Sequence, residues 1–298
     1  MRKYIKEISL IHGVKDLDNK LIKKIQIRSL NGFDEEFMNE METQDLPYPV
    51  KTSRLLNRIV NFYDDDNDND NEKYDENAKL ALVRNITIGD RSCIIFYLRQ
   101  LTFGDIFQFD VQCDSCKKFM SIDLSIATIL DHSLSKQNKQ YVLDEDTDFY
   151  KLKFSDFIAK IRLLNGLDQE NISLYDINET KILESCVVNI DTIGHEKLLD
   201  EKFVSKINLA LSELDPLSDI LLTLICPSCN TSFKIPLIVE DFFFKEIQSR
   251  INNLEFEVHW LALNYHWSES EILSLPLPKR KRYVDLVNNT LVGEINNG

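Results

Sequence analysis

Ile27-Arg28-Ser29-Leu30-Asn31-Gly32-Phe33-Asp34-Glu35-Glu36 returns in the second half of the chain as Ile161-Arg162-Leu163-Leu164-Asn165-Gly166-Leu167-Asp168-Gln169-Glu170, with seven of the ten positions identical. Each copy follows a stretch of alternating apolar and polar residues, Leu21 to Ile27 and Tyr150 to Phe154, which reads as a strand buried on one face. Asn-Gly then tolerates a sharp change of direction, and the Asp with its following acid suits the start of a helix. A short apolar helix is predicted after each copy, over Ser53–Val60 and Thr180–Val187. A tandem duplication explains this order more simply than two unrelated domains, although convergent strand-turn-helix patterning can also produce a short match.

Working outward, both halves reach the same kind of endpoint. Leu101 to Cys116 reads LTFGDIFQFDVQCDSC and Leu214 to Cys229 reads LDPLSDILLTLICPSC, each passing from a helical segment through a turn and an apolar strand into a CxxC. The interval from the Asn-Gly to the CxxC is 82 residues in the first half, Asn31 to Cys113, and 61 in the second, Asn165 to Cys226. Thirteen residues of that difference are the tract Asp64 to Glu76, DDDNDNDNEKYDE, whose eight acids and one Lys carry half of the net charge of −14. Asp65, Asn67, Asn69 and Glu76 fall at positions 1, 3, 5 and 12 of a calcium-loop pattern, but Asp70 stands where that loop needs Gly. The bland alternative is a solvated loop, since so little apolar surface cannot offset the entropy of ordering it.

The cysteines carry the strongest chemical signal. Cys113-Asp114-Ser115-Cys116 and Cys226-Pro227-Ser228-Cys229 together supply the four thiolates of a structural zinc site, and the x-x spacing lets a tight turn aim both sulfurs of a pair at one metal. Lys117 and Lys118 place positive charge beside a site of formal charge −2, and Asn230 suits a left-handed position after the second pair. The pairs lie farther apart than zinc-ribbon knuckles usually do, and related halves, each contributing one knuckle, remove that difficulty. A redox CxxC and four unligated thiols are the alternatives. Cys93 and Cys186 lie in apolar stretches and read as core thiols.

The 298 residues allow two domains, and the excess of 49 acidic over 35 basic side chains argues against a general nucleic-acid binder. The run Ile220 to Cys226 is far too short to span a membrane, and Met1 to His12 has no apolar core of a signal peptide, so an intracellular, soluble protein is expected. No GxSxG elbow, phosphate loop or dinucleotide fingerprint is present, and His195-Glu196 lacks the second His of a zinc-protease helix, so no catalytic residues are assigned and a non-enzymatic role is expected.

The fold class expected is α+β: two tandem related halves, each a strand-turn-helix plus a CxxC hairpin, packed about a shared four-cysteine zinc-ribbon-like site, with a C-terminal helical tail. The divisions are residues 1–130, including the acidic insertion 64–76, residues 131–250, and residues 251–298. In the last, Ile251 to Trp267 has helical spacing and is apolar nearly all round, so it should be buried in the protein or against a partner. Ser268 to Glu271 forms a capping box, and Pro278 suits the first turn of a helix running to about Leu291. Lys279 to Arg282 reads as the exposed basic face of that helix, a docking site for an acidic partner.

The run Glu257 to Leu273, EVHWLALNYHWSESEIL, followed by Leu275-Pro276 and Lys279 to Tyr283, resembles the C-terminal signature of contractile-tail baseplate proteins, broadly the T4-type bacteriophage baseplate hub family. Asn31-Gly32-x-Asp34, Asn165-Gly166-x-Asp168, Leu214-Asp215-Pro216 and the two CxxC pairs are similar to that group as well, and the acidic tract departs from it. The resemblance implies a structural or assembly subunit of the virion, or of a phage-like particle, made in the host cytoplasm. Its partners would be other baseplate, tube or tape-measure proteins, without nucleic acid or membrane. Trp260, Tyr265, Trp267, Lys279, Arg280 and Arg282 are the candidate partner-binding residues, and Cys113, Cys116, Cys226 and Cys229 the candidate ligands of one structural zinc per chain. A cytoplasmic zinc-ribbon adaptor in transcription or RNA processing and a CxxC redox protein remain as alternatives.

Overall fold

The computed structural model describes residues 2–42, 44–62, 74–135, 142–144, 149–154, 157–175, 179–192, 201–251 and 253–297. Its first part runs β1 (Ile5–Lys15), β2 (Leu21–Arg28), α1 (Gly32–Glu42), α2 (Tyr48–Ile59), β3 (Val60–Phe62), α3 (Glu76–Asn85), α4 (Ile88–Phe103), β4 (Ile106–Gln112), β5 (Phe119–Ser125) and α5 (Ile126–Ser135). It continues with β6 (Val142–Asp144), β7 (Phe149–Lys153), β8 (Phe157–Ile161), α6 (Gly166–Tyr175), α7 (Glu179–Cys186), β9 (Val187–Thr192), α8 (Glu201–Leu214), β10 (Leu221–Ile225), β11 (Ser232–Pro236) and α9 (Val239–Ile251). The chain closes with α10 (Leu254–Tyr265), α11 (Glu269–Leu273) and α12 (Leu277–Asn297). The architecture is mixed α and β with small antiparallel sheets, ordered β1-β2-β3 and β6-β7-β8-β9, and two separate hairpins, β4-β5 and β10-β11.

The two Asn-Gly segments adopt the same local structure. Asn31 Oδ1 accepts the Asp34 N–H while Asp34 accepts the Asn31 N–H, and the Arg28 guanidinium donates to both Asp34 oxygens at 2.5 and 3.0 Å. Asn165, Asp168 and Arg162 repeat every one of these bonds, with the guanidinium at 2.6 and 2.8 Å. The strand entering the second copy is β8, so the predicted stretch from Tyr150 lies one hairpin earlier, in β7. Asn-Gly is a strand-to-helix corner in both places, because the Asp and Asn side chains hold N–H groups that a helix start leaves open.

Each corner receives another helix start. Ile88 donates its N–H to Leu164 O, and Thr87 pairs with Asn165; equivalently Leu277 donates to Leu30 O, and Pro276 pairs with Asn31. A Cβ on Gly32 would lie 2.8 Å from the Leu273 Cα, so that approach needs glycine, and one on Gly166 would lie 2.3 Å from an Arg91 nitrogen and displace the guanidinium. Arg280, three residues beyond Leu277, is 1% exposed and bonds Glu35 at 2.6 Å and Glu257 at 2.7 Å. Arg91, three beyond Ile88, is equally buried but donates to the carbonyls of Val83 and Pro49, since Gln169 stands where the first copy has Glu35.

A large core joins α4 to the β1-β2-β3 sheet and extends to Leu217, Ile220, Leu237, Val239, Phe243, Phe244 and Ile247. Helix α9, within the segment 131–250, therefore packs on the first part of the chain, because its Phe-rich face completes that core. A second core gathers Leu152, Phe157, Ala159, Ile161, Leu183, Phe203 and Ile207. Between them lies a polar joint. The β1-β2 register shifts between Ser9 and Val14, and the freed N–H groups of Ile11, His12 and Gly13 all donate to the buried carboxylate of Asp90, at 2.6, 3.0 and 3.1 Å. Asp215 accepts the Gly89 N–H at 2.9 Å and faces His12 Nε2 at 3.6 Å, while His12 Nδ1 is 3.0 Å from the Tyr150 hydroxyl.

Replacing Arg280 by Ala leaves two carboxylates without their cation, one of them buried, and is expected to cost about 3–5 kcal/mol of stability in chemical denaturation, with Glu35→Gln milder. Burial alone would depress the His12 pKa, but Asp215 and Asp90 outweigh it and raise it, against a smaller opposing effect of Lys23; Tyr150 also faces the ring. Stability from the protonated ring is thus full below the unfolded value of about 6.5 and lost as pH rises through the higher folded one. His12→Asn should flatten the fall in stability across neutral pH; an unchanged slope would remove His12 from that role.

Candidate metal centre

Each cysteine pair sits in the turn of a hairpin, as its flanking strands require. In the first, Lys117 donates its N–H to Cys113 O at 2.9 Å and Cys113 donates to Lys118 O at 3.0 Å. In the second, Asn230 donates to Cys226 O at 2.8 Å and Cys226 donates to Thr231 O at 3.0 Å. The residue after each pair takes a left-handed backbone, φ 59° at Lys117 and 56° at Asn230. Asn230 was legible as such a position, whereas Lys117 has no local preference for it and is identified by its place in the knuckle.

The hairpins bring the four sulfurs together. Cys113 Sγ lies 3.7 Å from Cys229 Sγ and Cys116 Sγ 3.6 Å from Cys226 Sγ, and all four are within 4.8 Å of one another. A disulfide would hold its sulfurs about 2.05 Å apart. A tetrahedron of zinc–sulfur bonds about 2.3 Å long has edges of about 3.8 Å, close to both cross-hairpin separations. The residues therefore fit a metal ion of zinc's size and preference for thiolate. Cys113 and Cys226 are buried, Cys116 is half-buried and Cys229 exposed.

The electrostatics favour a cation. The Thr231 hydroxyl and backbone N–H draw the Cys229 thiol down to about 6. At Cys116 the Lys118 N–H pulls the same way, but desolvation and the three neighbouring sulfurs outweigh it and push the thiol up to about 11. Cys116 thus resists ionisation beside its neighbouring sulfurs in the absence of positive charge, which a divalent ion supplies. Thr231, absent from the sequence reading, bonds Cys229 at 3.4 Å; its position two residues beyond the last Cys is the only sequence signal for it. Cys93 and Cys186 lie apart from the cluster as core thiols, with burial pushing them up to about 12 and about 11. A thioredoxin-type pair opens a helix, and neither pair here does.

The candidate partner-binding residues are placed differently. Tyr265 stacks on Trp267 and both meet Tyr283 edge-on, while Trp260 donates its indole N–H to Asn288, so the three aromatics mainly bind α10 to α12. The expected exposed basic face from Lys279 to Arg282 is corrected at Arg280, which is buried because Glu35 and Glu257 hold it; Arg282 is exposed and Lys279 half-buried. Phe256, Leu263 and Leu286, exposed by 58, 58 and 55%, are large apolar side chains that these helices leave uncovered among the described residues. Helix α10 is separate from α9, and Ser268 and Glu271 form the expected capping box. The calcium-loop pattern, apart from Glu76 at the start of α3, and His195 fall outside the described residues. Among the described residues no helix is long and apolar enough to cross a membrane. Comparison with protein-family models, curated proteins and solved structures returns no match.

Cys113→Ser or Cys226→Ser should abolish metal binding and lower the thermal midpoint, whereas Cys186→Ala should keep the metal. Elemental analysis of the purified chain is expected to give one zinc; two metals per chain, or none with unchanged stability after substitution, would overturn the site.

Proposed function

We propose that this chain is a zinc-stabilised, non-enzymatic structural or assembly subunit of a contractile-tail baseplate, built from two tandem related halves and joined to other tail proteins through its C-terminal helices. The observation that carries the reading is one four-sulfur cluster that takes a CxxC from each of two series of elements running in the same order. The series are β1, β2, α1, α2, β3, α4, β4, β5, α5 and β7, β8, α6, α7, β9, α8, β10, β11, α9, with α3 an extra element in the first and β6 an extra strand ahead of the second. The matched Arg-Asp-Asn bonding at Arg28 and Arg162 supports their relation, because it reproduces contacts as well as residue types.

Zinc here closes the two hairpins on each other. Apparent binding free energies of structural zinc reach about 10–16 kcal/mol, as large as the stability of a domain, so the metal would fix the halves as a rigid block. A four-cysteine site leaves zinc no open position for activating water, which suits a structural role. The assignment to a baseplate rests on the resemblance of the run Glu257 to Leu273 and its continuation. The uncovered Phe256 and Leu263, seven residues apart and so on one face of α10, support a partner surface there.

Deleting the C-terminal helices would uncover Leu30, Gly32 and Glu35, so point substitutions give the cleaner test. Phe256→Asp with Leu263→Asp should leave zinc content and thermal midpoint unchanged while the subunit no longer co-purifies with baseplate, tube or tape-measure proteins from particle-producing cells. Normal incorporation of a folded double variant would rule out this partner surface.

A further inference from the structure

Helix α10 has a second face, away from Phe256 and Leu263. Leu254, Val258 and Ala262 form a ridge at i, i+4 and i+8, which floors a groove of about 470 Å³ between α10 and α1. Glu36 rises from α1, Glu255 from α10 and Glu269 from the first turn of α11, and no Lys or Arg lines the groove. His259 is the remaining titratable group on its wall. An i, i+4 ridge is the surface into which a second helix packs its own side chains, and from Leu254 to Ala262 it runs about 12 Å.

We infer that this groove is the docking site for an amphipathic helix of another protein, one whose apolar stripe is flanked by Lys and Arg; the inference rests on the reading of the C-terminal helices as the partner surface and names the chemistry of its partner. The half-buried Val258 and Ala262, with buried Leu254 beneath, supply a small apolar contact, while three carboxylates on the walls select cations on both sides of the stripe and steer their approach. A second copy of this chain is a poor occupant. Its basic segment begins at the anchored start of α12, where Leu277 bonds Leu30 and Arg280 is consumed by Glu35 and Glu257, so it cannot enter a groove without leaving its own core.

The test uses the full zinc-loaded chain and a fluorescent 18-residue peptide of Leu and Lys with all Leu on one helical face, with a scrambled peptide of the same composition as control. The amphipathic peptide should bind at least about tenfold more tightly than the scrambled one. Val258→Asp and the triple variant Glu36→Lys, Glu255→Lys, Glu269→Lys should each weaken it about tenfold or more, with Glu7→Lys and Asp123→Lys close to wild type. Zinc content and thermal melts establish that each variant is folded, and Glu255→Lys alone, on the exposed rim, carries the comparison if Val258→Asp does not fold. Equal binding of the two peptides, or binding unaffected by the groove variants, overturns the inference, and so does concentration-dependent self-association lost in those same variants, which would make a second copy the occupant. Should the groove variants bind as wild type while Phe256→Asp with Leu263→Asp still fails to join particles, the groove fails and the proposed function stands.

Discussion

Neither cysteine pair can surround a metal by itself, since two sulfurs leave half of a tetrahedron empty. A four-sulfur site needs the turn after β4 and the turn after β10 to meet, and they do meet although 109 residues separate Cys116 from Cys226. Everything between them has to return the chain to the same place. The two cores do this together: α4 and α8 each lead into a hairpin, and α9 runs back from the second hairpin to complete the core beneath α4. The cysteine cluster is thus an endpoint of the packing.

The starts of α4 and α12 do the corresponding work at the other end. Each presents an N–H to the Leu carbonyl before an Asn-Gly corner, and each carries a buried Arg three residues on. The two joints solve the burial of that charge differently. Arg280 has two carboxylates, whereas Arg91 has backbone carbonyls, with Glu170 and Glu240 opposing the lowering of its pKa by burial. One residue difference, Glu35 against Gln169, accompanies that change, and a buried guanidinium in both places shows how tightly the corner selects its occupant.

Much of this was legible. The Asn-Gly corners, the helices over Ser53–Val60 and Thr180–Val187, the hairpin position of both CxxC pairs, the capping box at Ser268 and the core character of Cys93 and Cys186 follow from residue type and spacing, and the structure has them there. Reading Lys279 to Arg282 as one exposed basic face failed at Arg280, because helical spacing ranks faces by polarity and does not know that Glu35 waits 245 positions away. The polar joint of His12, Asp90, Tyr150 and Asp215 could not be assembled from the sequence, since its members come from four separate places in the chain, and the one that belongs to a motif, Asp215 of Leu214-Asp215-Pro216, carries no local sign of its partners.

What the amino-acid sequence determined alone is therefore local: which segments are strands or helices, where they turn, and which four thiols have the spacing of metal ligands. Periodicity, capping and turn chemistry act over a few residues, so a few residues suffice to read them. The sharing of one cluster by the two knuckles was expected from the sequence, but only the tertiary structure decided its separations of 3.6 and 3.7 Å across the hairpins, that α9 belongs to the first core, and that Arg280 is inside while Phe256 and Leu263 are outside. Those outcomes depend on which distant group meets each polar or apolar side chain once water is gone, and burial energy is set by that meeting.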